Sequence, residues 1–179
     1  MRNITALTLS LLLVASSVVI RSFASAQSIG NLNVWTTQLI DRRHAQLESI
    51  YVRVVRAAKQ NGFDRVVFEF HGPMPSYRIQ YLKSSRFYED NGRHRIKIAG
   101  KAFIEIDLNM IAVSAEQAAA INRKGFLPKG KISLSSVWQF QDLGVEEGFY
   151  DFLIGVSARR AFRVTEKSNP SRLVVDIRH

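Results

Sequence analysis

Asp64-Arg-Val-Val-Phe-Glu-Phe70 places Val66, Phe68 and Phe70 on one side of an extended chain and Arg65 and Glu69 on the other. That period of two is the signature of a strand with one face buried. Gly72-Pro-Met-Pro75 must end it, because proline cannot donate to a central ladder. The closing stretch, Arg172-Leu-Val-Val-Asp-Ile-Arg178, repeats the alternation with Leu173, Val175 and Ile177 inward. So regular a pattern predicts a strand paired within a sheet. The two stretches also echo one another, each running Arg, three apolar residues, an acid and an apolar residue.

Moving outward from these two, Tyr51-Val-Arg-Val-Val-Arg56 reads as a strand followed by a turn at Asn61-Gly62. Tyr77, Ile79 and Tyr81 alternate with Arg78 and Gln80. Residues 94–108 alternate twice around Gly100, which suggests a hairpin through Ala99-Gly100-Lys101. Further strands are expected near 132–140, 148–157 and 161–166. One short helix is expected near 113–124, where Ser114 can cap and Gln117 occupies the capping-box position. The fold class expected is mainly β: an antiparallel β-sandwich, or a partly open barrel, of two related sheets.

The N-terminus reads differently. Met1-Arg2-Asn3 precedes an apolar run from Ile4 to Ile20, and Ala24-Ser25-Ala26 supplies a small-x-small cleavage pattern. We expect residues 1–26 to be a cleaved signal peptide, 27–48 a leader and 49–179 the β domain. Within the leader, Trp35, Leu39 and Ile40 are the residues able to tack it onto the domain. No other apolar run is long enough to span a bilayer, so no transmembrane segment is expected after cleavage.

Gly62-Phe-Asp-Arg-Val-Val-Phe-Glu-Phe70, Gly72-Pro-Met-Pro-Ser-Tyr-Arg-Ile79 and Asn169-Pro-Ser-Arg-Leu-Val-Val-Asp-Ile177 together resemble the AMIN-like domain family of exported bacterial proteins. The resemblance runs from about Tyr51 to the C-terminus. It implies a β-sandwich of two related sheets acting as a non-catalytic module of the cell envelope, associated in related AMIN domains with binding cell wall. It implies a secreted or periplasmic location and brings no catalytic residues with it.

The residues themselves say little about chemistry. With no cysteine among 179 residues, disulfides, thiolate metal sites and cysteine nucleophiles are excluded. His44, His71, His94 and His179 show no metal-ligand spacing, so neither a metal nor a cofactor is expected. No GxSxG occurs. Carboxylate pairs drawn from Glu69 with Asp176, or Glu105 with Asp107, are equally explained as salt-bridged strand positions. Arg65 beside Glu69, and Arg172 beside Asp176, are candidates for cross-strand ion pairs.

Charge is the informative quantity. Lys and Arg number 25 against 15 Asp and Glu, a formal charge of +10 that cleavage at Ala26 would lower by Arg2 and Arg21. The basic residues cluster at Arg93-His-Arg-Ile-Lys97, at Arg123-Lys124 with Lys129 and Lys131, and at Arg159-Arg160 with Arg163. No nucleic-acid-binding spacing accompanies them, and an exported protein seldom meets nucleic acid. The expected partner is peptidoglycan or another anionic envelope polymer, drawn in electrostatically. The alternative is another envelope protein docking on a sheet edge or aromatic patch. The binding residues expected are Arg93, Arg95, Arg159 and Arg160, with Tyr88 as an exposed ring. Phe87 and Tyr150 are further stacking candidates, whereas Tyr77, Tyr81 and Trp138 fall in phase with core positions.

Overall fold

The computed structural model describes residues 30–45, 48–82, 89–90, 94–95, 97–109, 128, 132–146 and 148–179. The expected signal segment and the expected helix at 113–124 lie outside them. Among the described residues eleven strands follow in chain order: β1 (Ile40–Arg42), β2 (Tyr51–Lys59), β3 (Phe63–His71), β4 (Ser76–Tyr81), β5 (Glu89–Asp90), β6 (His94–Arg95), β7 (Ala102–Asn109), β8 (Val137–Glu146), β9 (Phe149–Val156), β10 (Phe162–Lys167) and β11 (Arg172–Arg178). They form a five-stranded sheet ordered β1-β4-β7-β9-β8, a four-stranded sheet ordered β10-β11-β3-β2, and the small pair β5-β6. Every pairing is antiparallel. The two main sheets are separate, so the architecture is a sandwich and not a closed barrel.

The alternating residues build the core between the sheets. Val66, Phe68, Leu173, Val175 and Ile177 from one sheet are fully buried against Ile79, Ile104, Ile106, Leu108 and Phe152 from the other. Phe68 and Phe152 meet edge to face, centroids 5.2 Å apart. Between β3 and β4 the chain changes sheets at Gly72. There φ is +84° and a Cβ would stand 2.7 Å from the Ser49 carbonyl oxygen, so only glycine fits.

Two local expectations are corrected. Ala99-Gly100-Lys101 is not a hairpin turn, because β7 pairs with β4 and β9 while β6 pairs only with β5. The segment before β7 instead lies over Gly155 of β9, against which any Cβ at 155 would collide, and the Ala99 N–H bonds the Gln139 side chain at 2.8 Å. The strand expected at 132–140 begins only at Val137. Ser133 adopts φ +54°, and Ile132 and Leu134 fold back to bond the carbonyls of Trp138 and Val137. The cross-strand ion pairs expected of these acids form as Arg65 with Asp176 across β3 and β11, and as Glu69 with Arg53 and Arg56 of β2.

The segment preceding β1 crosses the sandwich's side. Thr36 bridges to Phe162 on the edge of β10, the Asn33 N–H bonds the Val164 carbonyl at 2.8 Å, and Ile40–Arg42 then pairs with β4 in the other sheet. Ile40 is fully buried; Trp35 and Leu39 are half-buried.

Candidate functional site

The echoing stretches β3 and β11 turn out to be neighbours. Running antiparallel, they set Arg65 opposite Asp176 and Glu69 opposite Arg172. Asp176, only 1% exposed, accepts from Arg65 Nε at 2.7 Å and Arg65 Nη2 at 3.0 Å. It also accepts from Arg163 Nε on β10, at 2.9 Å. Glu69 likewise takes Arg56 Nη2 at 3.1 Å and Arg53 Nη1 at 3.4 Å from β2. Residues four apart on one strand stand about 13 Å from each other, so each charge finds its partner on a neighbouring strand.

Each unit has one design: a buried carboxylate holding two guanidiniums that remain 30–63% exposed. The acid fixes the arginines' orientation, and each pair keeps a net positive charge facing outward. Trp35 adds to this face. Arg163 and Arg178 place their guanidinium carbons 4.7 and 4.6 Å from its ring, and Phe63 meets it edge to face at 6.0 Å. Tyr51 and His71 stack at 4.7 Å toward the far end of the face.

Of the binding residues expected from sequence, Arg159 and Arg160 are exposed in the β9–β10 connection. Arg159 lies 4.7 Å over the Tyr81 ring and donates to the Thr37 carbonyl, so it adjoins the same crossing segment that carries Trp35. Arg160 exchanges backbone hydrogen bonds with the Tyr81 hydroxyl, at 2.7 and 3.0 Å. Arg93 and Tyr88 lie outside the described residues, as do Phe87, Arg123, Lys124, Lys129 and Lys131; of Arg95 only the backbone in β6 is described. Tyr150 is buried with its hydroxyl on Asp142 at 2.8 Å, so its ring is not available for stacking. Sequence reading missed the fork formed by Arg65, Asp176 and Arg163 because its members are joined by register, which alternation alone does not supply.

The opposite outer face, on the five-stranded sheet, is acidic. A cross-strand row runs Asp41, Arg78, Asp107, Asp151 over β1, β4, β7 and β9. Glu105 lies two residues from Asp107 on the same face and accepts from Gln80 at 2.8 Å. Burial first, then the charges of Glu105 and Asp151, pushes the Asp107 carboxyl up to about 7. A group raised in the folded state keeps a proton there that the unfolded chain releases above about pH 4. Asp107 therefore makes the fold less stable as pH rises from about 4 through 7, with no further loss above. Because the side chain is partly exposed, solvent screening reduces the effect to about 1–2 kcal/mol. In thermal melts between pH 4 and 8, Asp107→Asn should be the more stable protein at pH 8 and match the parent near pH 4. Equal pH profiles for the two would refute this assignment.

Among the described residues no group of three or more His, Asp or Glu side chains is placed to hold a metal ion, and no helix is long and apolar enough to cross a membrane. His44 bonds Glu166 at 3.1 Å and His179 bonds Asp64 at 2.9 Å.

What these features define is a two-sheet module with acid-oriented arginines on one outer face and a row of carboxylates on the other. A family model for the AMIN-like domain matches residues 50–179, and the chain belongs to that family. No curated protein and no solved structure matches it. AMIN-like domains belong to exported cell-envelope proteins and are in general non-catalytic binding modules, which associates this chain with the cell envelope.

Proposed function

We propose that the module binds an anionic envelope polymer, with peptidoglycan the leading case, through the outer face of the four-stranded sheet and the adjoining β9–β10 connection. The observation that carries this reading is the concentration of Arg53, Arg56, Arg65, Arg163 and Arg178 there, against Asp176 and Glu69 among the described residues. Pre-oriented guanidiniums bind carboxylate or phosphate without first having to be ordered. Trp35 carries guanidiniums on its ring, so the recognition rests on charge and directed hydrogen bonds more than on bare sugar stacking. Arg93, Arg95 and Tyr88, expected from sequence as binding residues, remain part of the proposal. Export by cleavage after Ala26 belongs to the same reading, and N-terminal sequencing of the exported product should begin at Gln27. A product retaining Met1 in the membrane would refute it.

The test uses charges that hold no buried acid. Replacing Arg159, Arg160 and Arg178 together with serine leaves the Asp176 and Glu69 pairs intact. At about 1 kcal/mol per charge near an anionic surface, sacculus binding should fall roughly a hundredfold near physiological salt. The melting temperature should move by no more than a few degrees. A specific site keeps measurable binding at about 0.3 M salt, where exposed charges are screened within several ångströms. Unchanged binding by the triple variant would reject the face. It would favour docking of another envelope protein, for which Val145 and Phe149 at the β8–β9 hairpin offer exposed apolar residues, with Val34 exposed elsewhere.

A further inference from the structure

On the five-stranded sheet's outer face, remote from the arginine-rich face, a cleft of ≈ 130 Å³ is lined by Asp41, Arg43, Arg78, Asp107, Asn109 and Phe149 among others. It is well below the ~300–1,000 Å³ of sites for drug-sized ligands, so it suits one small group and not a polymer. Its front and back differ in charge. Asp41 is 6% exposed and uses Oδ1 on Arg43 Nε at 3.1 Å and Oδ2 on Arg78 Nη2 at 3.0 Å, while those two side chains stand 43% and 46% exposed. This is a third acid-held arginine fork. Asp41 also takes Arg78 Nε at 3.3 Å, and among the described residues nothing takes Arg78 Nη1. An incoming group therefore meets guanidinium first.

The carboxylates behind the fork limit what can enter. Asp107 sits beside Arg78 on the next strand, with Asp151 opposite it, Glu105 two residues along and Asp41 across the row. Four acids so close repel a dianion and tolerate a monoanion. Phe149, 41% exposed, gives one wall an apolar surface. We propose that this cleft is a second binding site, taking the free carboxylate end of a small amino-acyl residue, such as the end of a short peptide. Arg78 pairs with the carboxylate, Phe149 covers the small side chain, and Asp107 donates its proton to the bound anion. Once ionised, Asp107 faces the ligand as a like charge alongside Asp41, Glu105 and Asp151, with only Arg78 and Arg43 opposing it, so binding weakens as pH rises through neutrality. The site does not depend on the polymer-binding reading, since no residue is shared.

N-acetylalanine titrated into the full protein, followed by backbone amide chemical shifts, tests this, with N-acetylalaninamide and inorganic phosphate as comparisons. The acid should shift resonances of β4, β7 and β9 around Arg78, Asp107 and Phe149, and the amide should not. Affinity should be about fivefold or more weaker at pH 8 than at pH 6, from coupling to one proton. Asp107→Asn should abolish that pH difference. Arg78→Gln should weaken binding about tenfold or more by removing a charged hydrogen bond. Phe149→Ala leaves every ion pair in place and should still weaken binding severalfold, which keeps the test decisive if Arg78→Gln fails to fold. Equal binding of acid and amide, tighter binding of phosphate, shifts elsewhere on the surface, or a pH difference that survives Asp107→Asn would each overturn the proposal.

Discussion

A chain lacking residues 172–179 is expected to show no cooperative thermal transition. β11 lies between β10 and β3, so its removal breaks two ladders at once and leaves β10 without its sheet. Leu173, Val175 and Ile177 are all fully buried, and each contributes roughly 1.5–3 kcal/mol. Their combined loss is comparable to the whole stability of a typical domain, about 5–15 kcal/mol. The same deletion removes Asp176 and leaves Arg65 and Arg163 facing one another without their acid. Circular dichroism melts check this directly, and a truncated protein with a sharp transition would contradict the central placement of β11.

Asp64→Ala should cost about 3–5 kcal/mol, the largest effect expected of any single substitution here. Asp64 is fully buried. Its Oδ2 accepts the backbone N–H groups of Ser136 and Val137 at 2.5 and 2.9 Å, and its Oδ1 meets His179 Nε2 at 2.9 Å. One side chain thereby joins β3 in one sheet to the start of β8 in the other and to the residue that follows β11. Truncation strands two interior N–H donors that water cannot reach. Asp64→Asn keeps an acceptor and should cost less. Urea unfolding gives the stabilities, and amide exchange should show the start of β8 opening first. A loss below about 1 kcal/mol for the alanine variant would reject this account.

How much of this was legible depends on the kind of information each feature needs. Strands β3, β4 and β11 could be read from alternation, because Val66, Phe68, Ile79, Leu173 and Val175 must share a buried side. Asp64 stands in phase with Val66, Phe68 and Phe70, and an acid in an inward position was the available signal of a buried tie. Its partners could not be named, since Ser136 and His179 reach it only through the stacking of two sheets. The same limit applies to the arginine forks. Composition revealed an excess of cations, but which acid holds which pair is set by the β3–β11 and β2–β3 registers. The hairpin expected at Gly100 fails for a related reason. Gly100 and Gly155 serve close approach between layers, where a Cβ at either would strike backbone of the other segment, and glycine spent that way resembles glycine in a turn.

The crossing segment from Asn33 to Arg42 also governs how many neighbours the sandwich can recruit by strand addition. It occupies the border of β10 and supplies the short β1 as the border of the other sheet, so one flank is closed in both layers. The long borders that remain are β2 and β8, at the opposite ends of the two sheet orders and hence on the opposite flank. A particle with one adhesive flank can pair with a second copy, but it cannot propagate, because growth of a ribbon requires an acceptor on each side. Among the described residues the domain is thus monovalent for strand exchange, so crowding of many copies would yield pairs where a bivalent sandwich would be prone to polymerise.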